Sequence, residues 1–194
     1  MIREPKWKSL MANTVKPLFT PEQCQDIINM GHQQKQVEAQ VGHKEEKEGN
    51  YDTKKRITRI SWIPFKEMPD MYRMIEDVML KTNGNHFGYD GMRLSEYAQF
   101  TEYPKGGFYD WHMDADVNGM YEQPVRKISM TILLSNPSEF EGGDLEFMTY
   151  GNKPPQLLQG QAIFFCSMLR HRVSKVKKGI RRSLVQWFGG PPFK

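Results

Sequence analysis

The sequence predicts a mainly β domain with helices packed on its outside, and two observations support this. Two segments in the first ninety residues have helical periodicity and recognisable start signals. After Gly91 the pattern changes to short apolar strands separated by Gly, Pro and Asn turns. Helices followed by many short strands are typical of a β-sandwich or barrel that carries helices on one side. With no visible linker, we expect one domain over 1–194, with helical support to about residue 90 and a β core over about 91–190.

The composition is that of an ordinary globular protein, with 38% hydrophobic and 26% charged residues. No apolar run approaches the length of a membrane span, so none is expected. The opening residues, MIREPKWKSLMANT, lack the apolar stretch of a signal peptide. The two cysteines, Cys24 and Cys166, are too few for a disulfide framework. We therefore expect a reducing, cytoplasmic setting.

Two helices are expected, over 18–34 and 68–85. In the first, Thr20 can cap the N-terminus, Pro21 follows it, and Gln23 occupies the reciprocal capping-box position. Both helices have an apolar stripe that would face the core. The stripe residues are Cys24, Ile27 and Ile28 in the first helix and Met71, Tyr72, Ile75, Val78 and Met79 in the second.

Short strands are expected on both sides of the second helix. Their ranges are 57–64, 92–103, 126–135, 144–150, 161–167, 171–176 and 180–188. The polar stretch 42–56 predicts a surface loop, and its length would suit a lid over a substrate.

The stretch YDWHMDAD contains a candidate metal-binding pair. Residues two apart on a strand project from the same face, so His112 and Asp114 could offer a nitrogen and an oxygen to one ion. Two histidines and one carboxylate suit octahedral Fe(II) and leave three coordination positions open. Asp110 and Asp116 share that face on a regular strand, so spacing alone does not choose the acid. Among five histidines, His171 is the candidate second ligand because it follows the apolar strand QAIFFCS.

Arg181 lies ten residues beyond His171. If Lys177–Gly179 forms a three-residue hairpin loop, residue 171 faces residue 185 and residue 175 faces residue 181. His171, Arg181 and Ser183 then share one face. A guanidinium there could bind a carboxylate through two hydrogen bonds, with the Ser183 hydroxyl adding a third. The same register turns Lys175 inward.

The segment 170–182, RHRVSKVKKGIRR, carries basic residues and no acid within a chain of net charge +4. Such a segment could attract an anionic partner, including nucleic acid. The alternative is a solvated hairpin edge that its lysines keep soluble.

Together these motifs resemble the iron(II)/2-oxoglutarate-dependent dioxygenases, specifically the prolyl 4-hydroxylase-like and PKHD-type hydroxylases. The residues that match the family's H-x-D…H-x10-R/K pattern are His112, Asp114, His171 and Arg181. The residues that match its upstream Q-x3-Y-x2-G-x2-Y-x2-H-x-D pattern are Gln99, Tyr103, Gly106 and Tyr109. The resemblance spans about residues 56–188.

The resemblance implies a double-stranded β-helix, or jelly roll, with a metal inside one mouth. The implied metal ligands, which are also the catalytic residues, are His112, Asp114 and His171, and the implied co-substrate residues are Arg181, Ser183 and Tyr103. Fe(II), 2-oxoglutarate and O2 are the implied cofactors, with ascorbate as an optional reductant. The implied reaction hydroxylates an unactivated carbon of a peptidyl or free amino acid, with proline favoured, and releases succinate and CO2.

One departure from the family concerns substrate choice. Leu133 and Leu134 stand where many prolyl hydroxylases have a Tyr-Leu pair, which weakens the transfer of prolyl specificity but not of iron binding.

Two alternative functions remain open. One is AlkB-like oxidative modification of nucleic acid or a nucleotide, although the tail VQWFGGPPFK lacks the second arginine usual there. The other is a non-catalytic binding module of the cupin type. The sequence does not indicate an oligomeric state.

Overall fold

The computed structural model describes residues 9–38, 55–115, 124–149 and 154–192. Its helices are α1 (Pro21–Gln33) and α2 (Pro69–Thr82), and a π-helical turn, Asn83–Phe87, continues α2. Its strands are β1 (Met11–Asn13), β2 (Val37–Glu38), β3 (Arg56–Ile57), β4 (Arg59–Ile63), β5 (Arg93–Leu94), β6 (Ala98–Tyr103), β7 (Phe108–His112), β8 (Val125–Leu133), β9 (Phe140–Gly142), β10 (Leu145–Phe147), β11 (Ala162–Cys166), β12 (His171–Val173), β13 (Val176–Gly179) and β14 (Arg181–Gly190).

These strands form two facing antiparallel sheets. The major sheet has the order β1-β11-β8-β14-β6-β4-β2, with β5 beside β14, and the minor sheet has the order β10-β12-β7-β3. Strands β13 and β9 form a separate two-stranded ribbon. The chain passes repeatedly from one sheet to the other, which is how a jelly roll is built. The prediction of a mainly β domain with helices outside it is confirmed.

Helix α1 begins as the sequence predicts. The Thr20 hydroxyl accepts a hydrogen bond from the Gln23 backbone N–H at 3.3 Å, and the Gln23 side chain accepts one from the Thr20 N–H at 2.9 Å. This reciprocal arrangement satisfies two N–H groups that the first helical turn leaves without partners. Helix α2 begins at Pro69 without a side-chain cap.

Both helices pack on the outer face of the major sheet and bury the predicted stripes, although Val78 is only partly buried. The Tyr72 hydroxyl donates to the Ile63 carbonyl and accepts from the Ala98 N–H at 2.7 Å, which ties α2 to β4 and β6. Gly31 lets α1 approach closely, because a Cβ there would lie 2.4 Å from the Phe100 ring. The major sheet is therefore supported from behind.

The space between the sheets is smaller and more polar. Its apolar cluster consists of Tyr103, Leu145, Ile163, Val173 and Val176. On β8, Ile128, Met130 and Ile132 belong to the core under the helices, so the buried Ser129 and Thr131 between them face the minor sheet. Polar side chains enclosed in this way mark the inter-sheet space as the place for a site.

The hairpin predicted around Lys177–Gly179 is wrong. Strand β14 has β6 on one edge and β8 on the other, so no edge is left for the chain that precedes it. Strand β12 lies in the minor sheet, and β13 pairs with β9. Gly179 does turn the chain, with φ of 71°. The turn leads from β13 in the two-stranded ribbon to β14 in the major sheet. His171 therefore does not face residue 185, and Lys175 is exposed rather than inward-facing.

The first ninety residues supply more than helical support. Strands β1, β2 and β4 extend the major sheet and β3 extends the minor sheet. The segment expected as one strand over 92–103 is divided into β5 and β6. Neither α1 nor α2 is long and apolar enough to span a membrane.

Candidate functional site

The fold brings His112, Asp114 and His171 together. His112 ends β7 and His171 begins β12, and the two are direct Cα partners with ring centroids 4.2 Å apart. The Asp114 carboxylate lies between them, with one oxygen 3.6 Å from His112 Nε2 and the other 3.6 Å from His171 Nε2. One ligand atom from each residue lies within 4.8 Å of the other two. The three side chains thus point at one common place.

Both histidines are oriented for metal binding through Nε2. His112 Nδ1 lies 2.7 Å from the Asp110 carbonyl oxygen, and His171 Nδ1 lies 2.9 Å from the Leu169 carbonyl oxygen. A carbonyl oxygen only accepts, so each Nδ1 carries the proton and donates it. In the neutral form of either ring, Nε2 keeps a free lone pair directed at Asp114.

The pKa values of His112 and Asp114 are shifted in directions that favour cation binding. Burial, followed by the charge of His171, lowers the pKa of His112 to about 4, so its ring is neutral near pH 7. Burial raises the pKa of Asp114, but the neighbouring His171 and His112 outweigh burial and hold that pKa below its usual value. Asp114 is therefore a buried carboxylate beside the neutral imidazole of His112 and the ring of His171.

A divalent metal fits this arrangement. Asp114 Oδ2 is buried and has no hydrogen-bond partner among the residues that the structure describes, which is costly unless a cation satisfies it. The aspartate backbone is fixed, since its N–H donates to the Ser167 carbonyl at 3.0 Å and its carbonyl accepts from Arg126 at 3.3 Å. Two imidazole nitrogens and one carboxylate on one side of a site match Fe(II) with open positions.

Arg181 lies at the start of β14, on the inner face of the major sheet. It is 3% exposed, and its Nη1 donates to the Ser183 hydroxyl at 3.1 Å. Its guanidinium carbon is 5.4 Å from the centre of the Tyr103 ring, the cross-strand partner of Arg181. Within the described ranges, no carboxylate forms an ion pair with Arg181. Burial lowers its pKa, which shows how poorly solvated this charge is.

An anion would satisfy Arg181. Arg181 lines a cleft of about 190 Å³ together with Leu133, Gly143 and Leu145. Burial raises the pKa of Tyr103, so its phenol stays protonated and can donate. The predicted co-substrate residues Arg181, Ser183 and Tyr103 thus lie together and offer donors to a carboxylate.

Sequence reasoning missed Arg56, which it placed in the polar loop 42–56. Arg56 belongs to β3, and its guanidinium lies 4.3 Å from the centre of the Tyr109 ring. That ring is in turn stacked on His112 at 3.5 Å. The local sequence gives little signal for this, because the position of Arg56 depends on strand pairing with β7.

The basic segment 170–182 does not form one charged surface. Arg172 pairs with Glu146 at 2.8 Å, Lys178 with Glu141 at 3.2 Å and Arg182 with Glu102 at 2.7 Å. With Arg181 buried, the exposed basic residues in this segment are Arg170, Lys175, Lys177 and the paired Lys178. These contacts do not favour a nucleic-acid interface.

The other residues near the site have simpler roles. Asp110 is exposed and lies outside the metal group, as expected for a rim acid. Trp187 is buried, and Trp111 packs against Arg172. Asp116 and residues 42–54 of the predicted lid fall outside the described residues.

Slightly less than half of the chain matches a known superfamily of oxygenases. The family model described as the 2OG-Fe(II) oxygenase superfamily matches residues 98–189, from β6 to nearly the end of β14. That stretch contains the metal group and Arg181. This part of the chain is therefore similar to the 2OG-Fe(II) oxygenase superfamily, whose cofactors are Fe(II), 2-oxoglutarate and O2.

Two curated relatives are similar to this chain. A PKHD-type hydroxylase of Parvibaculum lavamentivorans is 36% identical over 93 residues, which are 46% of this chain and 41% of the relative. The PKHD-type hydroxylase PiuC of Pseudomonas aeruginosa is 30% identical over 122 residues, 59% of this chain and 54% of that protein. The chain thus spans about half the length of the curated relatives it matches.

Two solved structures share the fold over nearly the whole chain. The viral collagen prolyl hydroxylase vCPH of Paramecium Bursaria Chlorella virus-1 gives a TM-score of 0.71 at 20% identity and covers 94% of this chain and 97% of its own. A Pseudomonas putida prolyl-4-hydroxylase gives 0.67 at 17% identity, covering 93% and 92%. The predicted jelly roll is confirmed.

Proposed function

We propose that this protein is an Fe(II)- and 2-oxoglutarate-dependent dioxygenase that hydroxylates an unactivated carbon of a peptidyl or free amino acid. Succinate and CO2 are the co-products. One observation supports this most: two imidazoles and a buried carboxylate whose Oδ2 has no hydrogen-bond partner converge in the same inter-sheet space as an arginine without an acidic partner among the described residues. A metal would satisfy the first group and a dicarboxylate the second.

Each residue has a definite task in this proposal. His112, Asp114 and His171 hold the metal, and the backbone carbonyls of Asp110 and Leu169 fix the two imidazoles. Arg181 and Ser183 bind the distal carboxylate of 2-oxoglutarate, and Tyr103 donates its phenol proton to the same group. Metal and 2-oxo acid, when bound, supply the oxidising power. The protein contributes positioning and a buried set of ligand atoms.

An amino-acid substrate, with proline favoured, is the finer part of the proposal. It is supported by relatives named PKHD-type hydroxylase and by fold neighbours named prolyl hydroxylase, one of them in complex with a peptide fragment. Leu133 still argues against a simple transfer of prolyl specificity, since it lines the cleft beside Arg181. A cytoplasmic setting and an accessory role for ascorbate belong to the proposal as well.

The proposal can be tested by succinate formation. Protein purified without oxygen is incubated with Fe(II) and 2-oxoglutarate, exposed to O2, and assayed with pools of peptides, free amino acids and oligonucleotides. We expect succinate and a product heavier by one oxygen atom with a peptide or amino-acid pool. The control is His112→Ala, which removes one ligand. Succinate no higher than in this control with every pool would contradict the proposed activity, and turnover with oligonucleotides alone would redirect it.

A further inference from the structure

Arg56 carries a positive charge that has no acidic partner among the residues the structure describes. Its Nε donates to the Thr58 hydroxyl at 2.8 Å and its Nη2 to Gln99 Oε1 at 3.1 Å. Both acceptors are neutral. The Tyr109 ring beneath the guanidinium adds a cation–π contact, which compensates only part of a charge.

The position of Arg56 is next to the metal group. It stands on β3 of the minor sheet and reaches across to Gln99 on β6 of the major sheet. Tyr109, on which it lies, is stacked on the ring of His112. The guanidinium is therefore separated from a proposed metal ligand by one aromatic ring. It is on the inner side of both sheets, where a substrate must lie.

The side chain of Gln99 provides a second hydrogen-bond donor beside Arg56. Its Oε1 accepts from Arg56 and also from the Thr101 hydroxyl at 3.3 Å. This network assigns the amide NH2 to the opposite side. In the part of the chain that the structure describes, that NH2 has no acceptor. Two donor groups, one of them charged, thus stand side by side and can both donate to one acceptor.

We propose that Arg56, assisted by the Gln99 amide, binds a carboxylate of the primary substrate. The substrate is then an amino acid with a free carboxylate or the C-terminal residue of a peptide. A neutral carbonyl within a chain would accept a hydrogen bond but leave the charge uncompensated. This inference rests on the proposed hydroxylase function and specifies its substrate class.

The test compares matched acid and amide probes. N-acetyl amino acids, their amides, free amino acids, and short peptides ending in a carboxylate or an amide are titrated by calorimetry into the anaerobic protein with Fe(II) and 2-oxoglutarate. Because charge-assisted hydrogen bonds are stronger than neutral ones, acids should bind roughly 10- to 100-fold more tightly than the matching amides. Free amino acids and peptide C-termini, compared with each other, identify the source of the carboxylate.

Three variants and one control test whether Arg56 causes the preference for acids over amides. Arg56→Gln should bring the acid-to-amide ratio close to one, and Arg56→Lys should keep part of it. Gln99→Glu places a carboxylate against the guanidinium, so it should remove the preference without changing the size of the site. The matched control is Arg59→Gln, since Arg59 is an exposed arginine on the next strand. This control should keep the full ratio.

The outcomes distinguish failure of this inference from failure of the proposed function. If the wild-type protein binds 2-oxoglutarate with Fe(II) but binds acids no better than amides, or binds no acid at all, the inference is overturned while the proposed function stands. An acid preference unchanged in Arg56→Gln also overturns it. If the wild-type protein fails to bind 2-oxoglutarate in the presence of Fe(II), the proposed function fails and the inference fails with it.

Discussion

His112 and His171 are direct Cα partners across β7 and β12, and their imidazole centroids lie 4.2 Å apart. Each ring donates its Nδ1 proton to a backbone carbonyl two residues earlier in the chain. Strand pairing and local backbone geometry therefore aim both Nε2 atoms at Asp114 before any metal arrives. This preorganisation supports specific expectations for binding, stability and pH dependence.

Loss of one imidazole should abolish tight metal binding. Changing an outer-shell partner alone commonly costs about 10- to 100-fold in metal affinity, so removing a ligand in His171→Ala should cost more than roughly 100-fold. Anaerobic calorimetry with Fe(II) measures this. His86→Ala is the control, because His86 is exposed and is not part of the metal group. Equal affinity in the His171 variant and the wild type would remove His171 from the site.

The metal-free protein should lose stability on acidification through His112. Its folded pKa of about 4 lies below the ordinary value of 6.5, so the unfolded chain takes up the proton first. The stabilising contribution is complete above pH 6.5 and is lost as the pH falls toward 4. Between pH 7.5 and pH 5, wild type should lose roughly 1–2 kcal/mol more than His112→Asn.

Urea unfolding in the presence of a chelator measures this difference. The exposed His86→Asn variant is the control and should follow wild type across the same range. If the His112 variant and the wild type lose stability in parallel, the ring of His112 is not held neutral by its surroundings.

Arg182 should act on stability without acting on the co-substrate. It pairs with Glu102 at 2.7 Å, and His32 contacts the same carboxylate oxygen at 3.1 Å. Burial raises the pKa of Glu102, but hydrogen bonds from Arg182 and His32 outweigh it and hold that pKa low. Arg182→Met leaves Glu102 buried with one partner fewer, which should cost about 1–3 kcal/mol.

In the same Arg182 variant the KM for 2-oxoglutarate should stay within about twofold, since Arg182 points away from Arg181 on the strand. Replacing Glu102 by Gln in addition should recover part of the lost stability, because the uncompensated charge is then gone. A large rise in KM would mean that the two neighbouring arginines do not have separate roles.

Arg181, unlike Arg182, should affect the affinity for 2-oxoglutarate without being needed for stability. Its buried guanidinium has only the Ser183 hydroxyl and the Tyr103 ring as partners in the described structure. Arg181→Met replaces a costly charge with an apolar chain, so the ligand-free protein should be as stable as wild type or up to about 2 kcal/mol more stable. Its affinity for 2-oxoglutarate should fall at least roughly 100-fold. Strong destabilisation without any change in affinity would make Arg181 a structural residue.

Local sequence signals predicted the elements well. The capping box of Thr20 and Gln23 depends on neighbouring residues, so it can be recognised in the sequence, and the structure contains it. Strand partners depend on which edges the whole fold leaves open. For that reason the hairpin between 171–176 and 180–188 was wrong, and the segment expected as one strand over 171–176 is divided between β12 and β13.

The site residues also differ in whether local sequence or strand pairing reveals them. The spacing of His112, Asp114, His171 and Arg181 is a sequence property, and the fold does bring the first three together with Arg181 in the same inter-sheet space. Arg56 is different, because its place over Tyr109 arises from the pairing of β3 with β7. A polar stretch that continues into a strand hides such a residue until tertiary structure is known.

The most direct test of the account is the binding of 2-oxoglutarate to the anaerobic protein, followed through the visible absorption of an Fe(II)–2-oxo acid chelate. We expect a band that needs both Fe(II) and 2-oxoglutarate, saturates at one equivalent per chain, is absent in Asp114→Asn, and requires far more 2-oxoglutarate in Arg181→Met. A wild-type protein that binds Fe(II) but develops no band with saturating 2-oxoglutarate would contradict it.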